Sequence, residues 1–375
     1  MKGMVIKMYG VNVEYKLLDG SYPEFFSFAK DKRVLGFCDL NTEKHLRELI
    51  KHANGAVNPI EIRVIPESEP IPNETLCAEI MTAAKDAELL LTAGSGTLND
   101  INKYVSAKLN IPCATLATAP SMDGYVSGVS AMTFEGKKVT LDTRPPDYLM
   151  IDCDILAAAP QVMIAAGIGD VVGKYNCLLD WKLSHLKNGE SYNEEAVSTM
   201  LNAVQTCMES TEKILNGDPN GTKTLIDALI TSGYAMVIAG NSRPASGGEH
   251  HTSHYLEMEF IRRGERIPLH GLKVALGTMV CIRLYNVMLE KQLKFKNCEI
   301  IYDEIKKLPT VEEIRSILQK LGAPYRYRDI GVDKELMRDM LLNAYTVRNR
   351  YTVLTFFKEL GIMQDQLDAL VEEFY

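Results

Sequence analysis

Over the first 150 or so residues, short β-branched and apolar runs alternate with segments whose apolar positions recur at helical spacing. This is the pattern of a parallel sheet flanked by helices. Strands are expected at 33–39 (RVLGFCD), 60–67 (IEIRVIPE), 87–94 (AELLLTAG), 111–118 (IPCATLAT) and 148–154 (YLMIDCD). Helices are expected between them: one from Asn41, where an Asn or Thr cap precedes EKHLRELIKHA, one from Asn73 and one near Thr97. The Gly-, Ser- and Thr-rich segment from Met122 to Thr143 reads as a loop plus a hairpin turning at Glu135-Gly136. Beyond Asp154 strand-like runs almost vanish. Helical stretches follow at 159–188, 193–216, 221–239, 247–263, 270–295, 310–321, 333–360 and 363–374, separated by turns such as Asn216-Gly217-Asp218-Pro219. The change of character predicts an α/β nucleotide-binding domain over residues 1–156 and an all-α domain over 157–375.

Composition narrows the function classes. The 41 Lys and Arg against 49 Asp and Glu give a net charge of −8 without basic blocks, which argues against a surface built to neutralise nucleic-acid phosphates. With 46% hydrophobic and 24% charged residues the chain is an ordinary globular one rather than a disordered one. No run approaches the roughly 20 consecutive apolar residues of a membrane helix, and the N-terminus lacks a signal-peptide core, so a cytoplasmic protein is expected. The eight cysteines are scattered without a CxxC pair and read as reduced, small apolar residues. Histidine is the uneven residue: of seven, four are His250, His251, His254 and His270.

Four segments carry candidate chemistry. Gly94-Ser95-Gly96-Thr97 follows an apolar strand and opens a helix, where backbone N–H groups and the helix dipole favour a pyrophosphate. Thr118-Ala119-Pro120-Ser121-Met122-Asp123-Gly124, with Ser127 beyond, follows the next strand, and ligands of doubly wound sheets bind at such carboxyl ends. Asp170 sits in the apolar run AAPQVMIAAGIGDVVGKYNCLLDW, where a carboxylate is costly unless it is paired, for example with Lys174 one turn on, or binds a metal. Finally, His250 and His254 share a helix face while His251 points elsewhere, and His270 opens the next helix. Two imidazoles and the Asp170 carboxylate would make a three-ligand site with an open position, as a catalytic divalent metal requires.

Together, GSGTLNDINKY, TAPSMDGYVS, PPDYLMIDCDILAAAPQVMIAAGIGDVVGKYNCLLDWKLSH, SRPASGGEHHTSHYLEME and LHGLKVALGT closely resemble the sn-glycerol-1-phosphate dehydrogenase family, and its bacterial branch most. The resemblance runs in order from about residue 87 to 280. It implies a Rossmann-like parallel sheet followed by a helical domain, the dehydroquinate synthase-like fold of metal-dependent polyol dehydrogenases. It implies an NAD- or NADP-dependent reduction of dihydroxyacetone phosphate to sn-glycerol 1-phosphate. Gly94, Ser95, Gly96, Thr97 and Leu98 match the family's pyrophosphate loop. Thr118, Ala119, Pro120, Ser121 and Ser127 match positions lining the nicotinamide cofactor. Asp39, at the end of the first strand, matches the ribose-binding acid and would disfavour a 2′-phosphate. Asp170, His250 and His270 match the metal ligands; Asp123 and His254 match substrate-contacting, catalytic positions, and Asp170 would touch the substrate as well. The Glu that often follows His-Gly in the family is Leu272 here.

A phosphate needs cations, and Lys174 and Arg243, close in sequence to the proposed ligands, are the expected partners. For the metal, zinc is the first expectation, nickel the second, and iron fits the same donors. Three rivals share these residues: a glycerol or other polyol dehydrogenase, a dehydroquinate synthase-like cyclase using NAD without net oxidation, and a non-catalytic ligand-binding protein. A small-molecule substrate and a homo-oligomer, dimer or larger, complete the expectations.

Overall fold

The computed structural model describes residues 5–8, 10–16, 20–53 and 59–375. Nine strands occur among them: β1 (Val5–Met8), β2 (Val11–Tyr15), β3 (Val34–Asp39), β4 (Glu61–Ile65), β5 (Leu89–Gly94), β6 (Cys113–Ala117), β7 (Val129–Phe134), β8 (Lys137–Asp142) and β9 (Tyr148–Ile151). Seven form one sheet in the order β1-β2-β9-β6-β5-β3-β4. All neighbours in it are parallel except β1, which pairs antiparallel with β2 at the edge. The five strands expected from sequence are present with trimmed ends. The β1–β2 hairpin was not among them, because its short VNVEY run interleaves Asn and Glu. Glu14 within it is buried, and its carboxylate accepts the Glu24 and Phe25 N–H groups at 2.9 and 2.8 Å, capping α1 (Pro23–Ala29).

Strands β3, β5 and β6 are buried at every position, as in a sheet covered on both faces. Leu89 and Leu91 point to a layer with Phe25, Leu46 and Leu116, whereas Leu90 points to one with Phe37, Ile80 and Ile101. The covering helices include α2 (Glu43–His52), α3 (Glu74–Ala83) and α4 (Gly96–Leu109). Asn73 caps α3 by accepting from the Leu76 N–H at 2.9 Å. The β7–β8 hairpin turns at Glu135 and Gly136, both at positive φ (51° and 69°), the backbone that a two-residue turn of this twist needs.

The rest is helical: α5 (Cys153–Ala157), α6 (Gln161–Asn188), α7 (Glu194–Glu209), α8 (Thr211–Leu215), α9 (Pro219–Ala239), α10 (Gly248–Arg263), α11 (His270–Glu290), α12 (Cys298–Ile305), α13 (Val311–Lys320), α14 (Lys334–Asn343), α15 (Val353–Glu359) and α16 (Met363–Phe374). Three stretches depart from the sequence pattern. The helix expected over 193–216 breaks at Ser210 into α7 and α8. The helix expected over 333–360 is interrupted from Ala344 to Thr352, and α12 had no counterpart among the expected helices. Two compact units result, one of Met1–Pro160 with Gly217–Ile226, the other of Gln161–Asn216 with Asp227–Tyr375.

In the second unit α6 and α11 are long and apolar enough to cross a membrane by length and composition, yet 83% of each apolar window is buried inside the protein. They are core helices packed on each other, and their mean hydropathy reflects that burial. None of the eight cysteines is in a disulfide, Cys153 being half-buried and the others buried.

Candidate metal centre and active site

Asp170 lies on α6, His250 on α10 and His270 at the start of α11, and glycines beside the ligands draw these helices together. At Gly271 a Cβ would fall 1.8 Å from the Ala166 carbonyl oxygen, and at Gly169 one would fall 2.3 Å from the Gly271 oxygen. Backbone therefore touches backbone where α6 crosses α11, one residue from Asp170 on one side and from His270 on the other. Helix α10 comes equally close at Gly277, where a Cβ would meet Thr252 Oγ1 at 2.2 Å and the Glu249 oxygen at 2.7 Å. Any side chain at these positions would hold the helices apart.

The crossings bring one donor atom from each of Asp170, His250 and His270 within 4.8 Å of one another. His250 Nε2 lies 3.3 Å from His270 Nε2 and 3.9 Å from Asp170 Oδ1. A tetrahedral site with bonds of about 2.0–2.1 Å sets its donors about 3.3 Å apart, a spacing the two imidazoles match and Asp170 Oδ1 approaches. Asp170 is fully buried, and Lys174 Nζ at 2.7 Å from Oδ1 offsets the cost of burying its carboxylate.

Two further carboxylates organise the centre. Glu249 Oε1 takes the Nδ1–H of His250 at 2.7 Å, which leaves the Nε2 lone pair for a metal. The Gly247 N–H at 2.7 Å and Asn176 Nδ2 also donate to Glu249. Burial, with the nearby Asp180 carboxylate adding to it, pushes Glu249 up to about 7. Asp180, completely buried on α6, accepts from the Gly248 N–H of α10 and the Val353 N–H of α15, each at 2.7 Å, and from Tyr285 Oη at 2.5 Å. It thus supplies an anion to two helix N-termini.

His254, one turn after His250, has its ring centroid 6.1 Å from that of His250 and 5.9 Å from that of His270. Its Nδ1 is 3.4 Å from Glu257 Oε2, which Lys273 Nζ approaches to 3.8 Å. His251 is buried away from the ligands, and burial holds its ring neutral by lowering it to about 3. The two cations expected to meet the phosphate, Lys174 and Arg243, are both committed to protein partners. Lys174 is fully buried on Asp170 and the Ala245 carbonyl. Arg243 grips Glu190 with both sides of its guanidinium and gives its remaining end to the Tyr351 carbonyl at 3.0 Å.

In the first unit, Gly94 ends β5, Ser95 is the N-cap of α4, and Gly96, Thr97 and Leu98 form its first turn. Connections from β3 run to β4 on one side and, after the crossover, to β5 on the other. Asp39 and Gly94 therefore end the two strands flanking the point where the strand order reverses. Asp39 Oδ1 also accepts the Thr42 N–H and hydroxyl, both at 2.8 Å. Thr118, Ala119, Pro120 and Ser121 follow β6, the Thr118 N–H bonding back to the Gly94 carbonyl at 3.2 Å. Asp123 precedes a 3₁₀ turn, Gly124–Val126, that leads to Ser127. Fully buried Lys103 pins this loop, donating to the Gly124 carbonyl at 2.9 Å and Ser127 Oγ at 3.1 Å.

Comparison with known proteins gives the family and the fold. The family model described as iron-containing alcohol dehydrogenase matches residues 18–160. The glycerol-1-phosphate dehydrogenase (NAD(P)+) of Bacillus licheniformis is 35% identical over 291 residues, which are 77% of this chain and 73% of that protein. The protein of the same name from Bacillus velezensis is 34% identical over 332 residues, 86% of this chain and 84% of its own. The chain belongs to the glycerol-1-phosphate dehydrogenase family. Among solved structures, a probable glycerol dehydrogenase from Sinorhizobium meliloti shares the fold, with a TM-score of 0.67 at 16% identity over 99% of this chain and 100% of that one.

In this glycerol-1-phosphate dehydrogenase family member, which has Leu272 after its His-Gly, Glu249 is the carboxylate that orients the His250 imidazole. Glu249→Gln is expected to weaken metal affinity about 10- to 100-fold, read by competition with a chelator. An unchanged affinity would remove Glu249 from this role. Glu249, Asp180 and Lys103 were missed by sequence reasoning. The one local signal was a Glu between a Gly-Gly pair and the first His of the cluster.

Proposed function

We infer that this chain catalyses the reversible, NAD(P)H-dependent reduction of dihydroxyacetone phosphate to sn-glycerol 1-phosphate. The observation that carries the reading is the convergence of Asp170, His250 and His270 donors in a chain of this family. When bound, a divalent metal supplies Lewis-acid polarisation of the substrate carbonyl, and the nicotinamide supplies the hydride. Asp170, His250 and His270 are the residues proposed to hold the metal, with zinc first, nickel second and iron third for two imidazoles and one carboxylate.

The remaining work falls to the chain's own groups. Gly94, Ser95, Gly96, Thr97 and Leu98 would receive the cofactor pyrophosphate at the N-terminus of α4. Thr118, Ala119, Pro120, Ser121 and Ser127 would line the nicotinamide, and Asp39 would hold the ribose. Asp123 and His254 are assigned the substrate hydroxyls. His254 is also assigned the proton relay, its ring oriented by Glu257 at Nδ1.

The test is NADH oxidation with dihydroxyacetone phosphate before stripping, after stripping and after re-addition of single metals. Activity is expected to vanish with the metal and to return with zinc or nickel, and to exceed that on dihydroxyacetone. Turnover that ignores stripping, or that no metal supports, overturns the reading.

A further inference from the structure

The interruption between α14 and α15 runs through Val347-Arg348-Asn349-Arg350-Tyr351 and sets two guanidiniums beside the residues around α10. Arg350 donates to the Ser242 and Ser246 carbonyls at 3.3 and 3.0 Å and to Ser242 Oγ. Arg243 belongs to the same cluster and is held by Glu190. Burial, together with the charges of Arg348 and Arg243, pushes Arg350 down to about 10. Neither Arg348 nor Arg350 is within ion-pair distance of a carboxylate among the described residues, and the nearby Glu190 is already taken by Arg243. Half-buried positive charge in this excess is costly without an anion.

The donors of these arginines are unequally used. Those of Arg243 and Arg350 go to protein oxygens. Among the described residues the Arg348 side chain makes one hydrogen-bond contact, Nη2 to His254 Nε2 at 3.5 Å, which uses one of its five donors. That contact places it one imidazole away from the ligand histidines, since His254 lies 5.9 Å, centroid to centroid, from His270. In dihydroxyacetone phosphate one methylene and one ester oxygen separate the carbonyl carbon from phosphorus, a span of about 4 Å. A phosphate held at Arg348 on its His254 side therefore keeps the carbonyl end near His250 and His270. An open concavity of about 470 Å³ near the same loop is lined by both arginines with Asn188, Tyr345 and Thr346, but by none of the histidines. It is not the subsite meant.

We propose that Arg348 binds the substrate phosphate through its guanidinium fork, with Arg350 adding charge behind it. The proposal deepens the substrate assignment above and rests on it. Arg348 takes the place of Lys174 and Arg243, whose charges are already matched by Asp170 and Glu190.

The test uses the metal-loaded enzyme with Arg348→Gln and Arg348→Lys, thermal unfolding serving as the check on folding. The ratio of kcat/KM on dihydroxyacetone phosphate to that on dihydroxyacetone is expected to fall about 10²-fold in R348Q, with partial recovery in R348K. Inorganic phosphate, titrated calorimetrically, is expected to bind R348Q about tenfold or more weakly than the unmodified enzyme. Equal losses on both ketones, or an unchanged ratio with unchanged phosphate binding, overturn the role of Arg348 and leave the substrate assignment standing. An unmodified enzyme that reduces dihydroxyacetone but not its phosphate overturns both, and that result is read before any variant is made.

Discussion

Exchanging His250 for alanine is expected to lower kcat/KM for dihydroxyacetone phosphate about 10³-fold or more, the loss of several kcal/mol of charge stabilisation at the carbonyl oxygen. Its Nε2 lies 3.3 Å from His270 Nε2 and 3.9 Å from Asp170 Oδ1, so its loss breaks the proposed donor set. A second readout separates lost metal from lost fold. A ligand that binds only the folded state raises the unfolding midpoint, so zinc or nickel should stabilise the unmodified protein and not the variant. A variant that kept a tenth of the activity, or that metal stabilised equally, would remove His250 from the site.

Gly271→Ala is expected to be as damaging, although it touches no ligand atom. Its new Cβ would fall 1.8 Å from the Ala166 carbonyl oxygen, a position that backbone can relieve only by moving α6 and α11 apart. Overpacking of this kind costs about 3 kcal/mol or more when the obstacle is main chain. The separation also moves His270 relative to Asp170, so metal affinity should fall further than it does in Glu249→Gln. Thermal unfolding and chelator competition check the two effects. A variant that unfolds and binds metal like its parent would show that the helix crossing is softer than its geometry implies.

The sheet and the ligands were legible in the sequence for different reasons. Strands β3, β5, β6 and β9 announce themselves because burial on both faces demands nearly unbroken apolar runs. Asp170, His250 and His270, whose donor atoms the structure brings together, stood out because a carboxylate inside an apolar helix and four crowded histidines are rare enough to need a reason. What stayed hidden depends on tertiary contact. Asp180 and Glu249 look like ordinary helix carboxylates until Tyr285, Gly248, Val353 and Gly247 are brought to them from other parts of the chain. The gap between α14 and α15 contains neither Gly nor Pro, and helical periodicity runs straight across it. Only the bond from the Val353 N–H to Asp180, 173 residues away, reveals why a new helix begins there. The arginines in that gap therefore read as the outer face of a helix.

Asp180 also acts as a spacer. One of its oxygens accepts from the first residue of the helix that carries His250 and His254, the other from the first residue of the helix that follows Arg348 and Arg350. The imidazole end and the guanidinium end of the site are thus referenced to one small group that touches neither. With the phosphate on Arg348, the length of molecule the enzyme accepts is gauged by a side chain the substrate never meets.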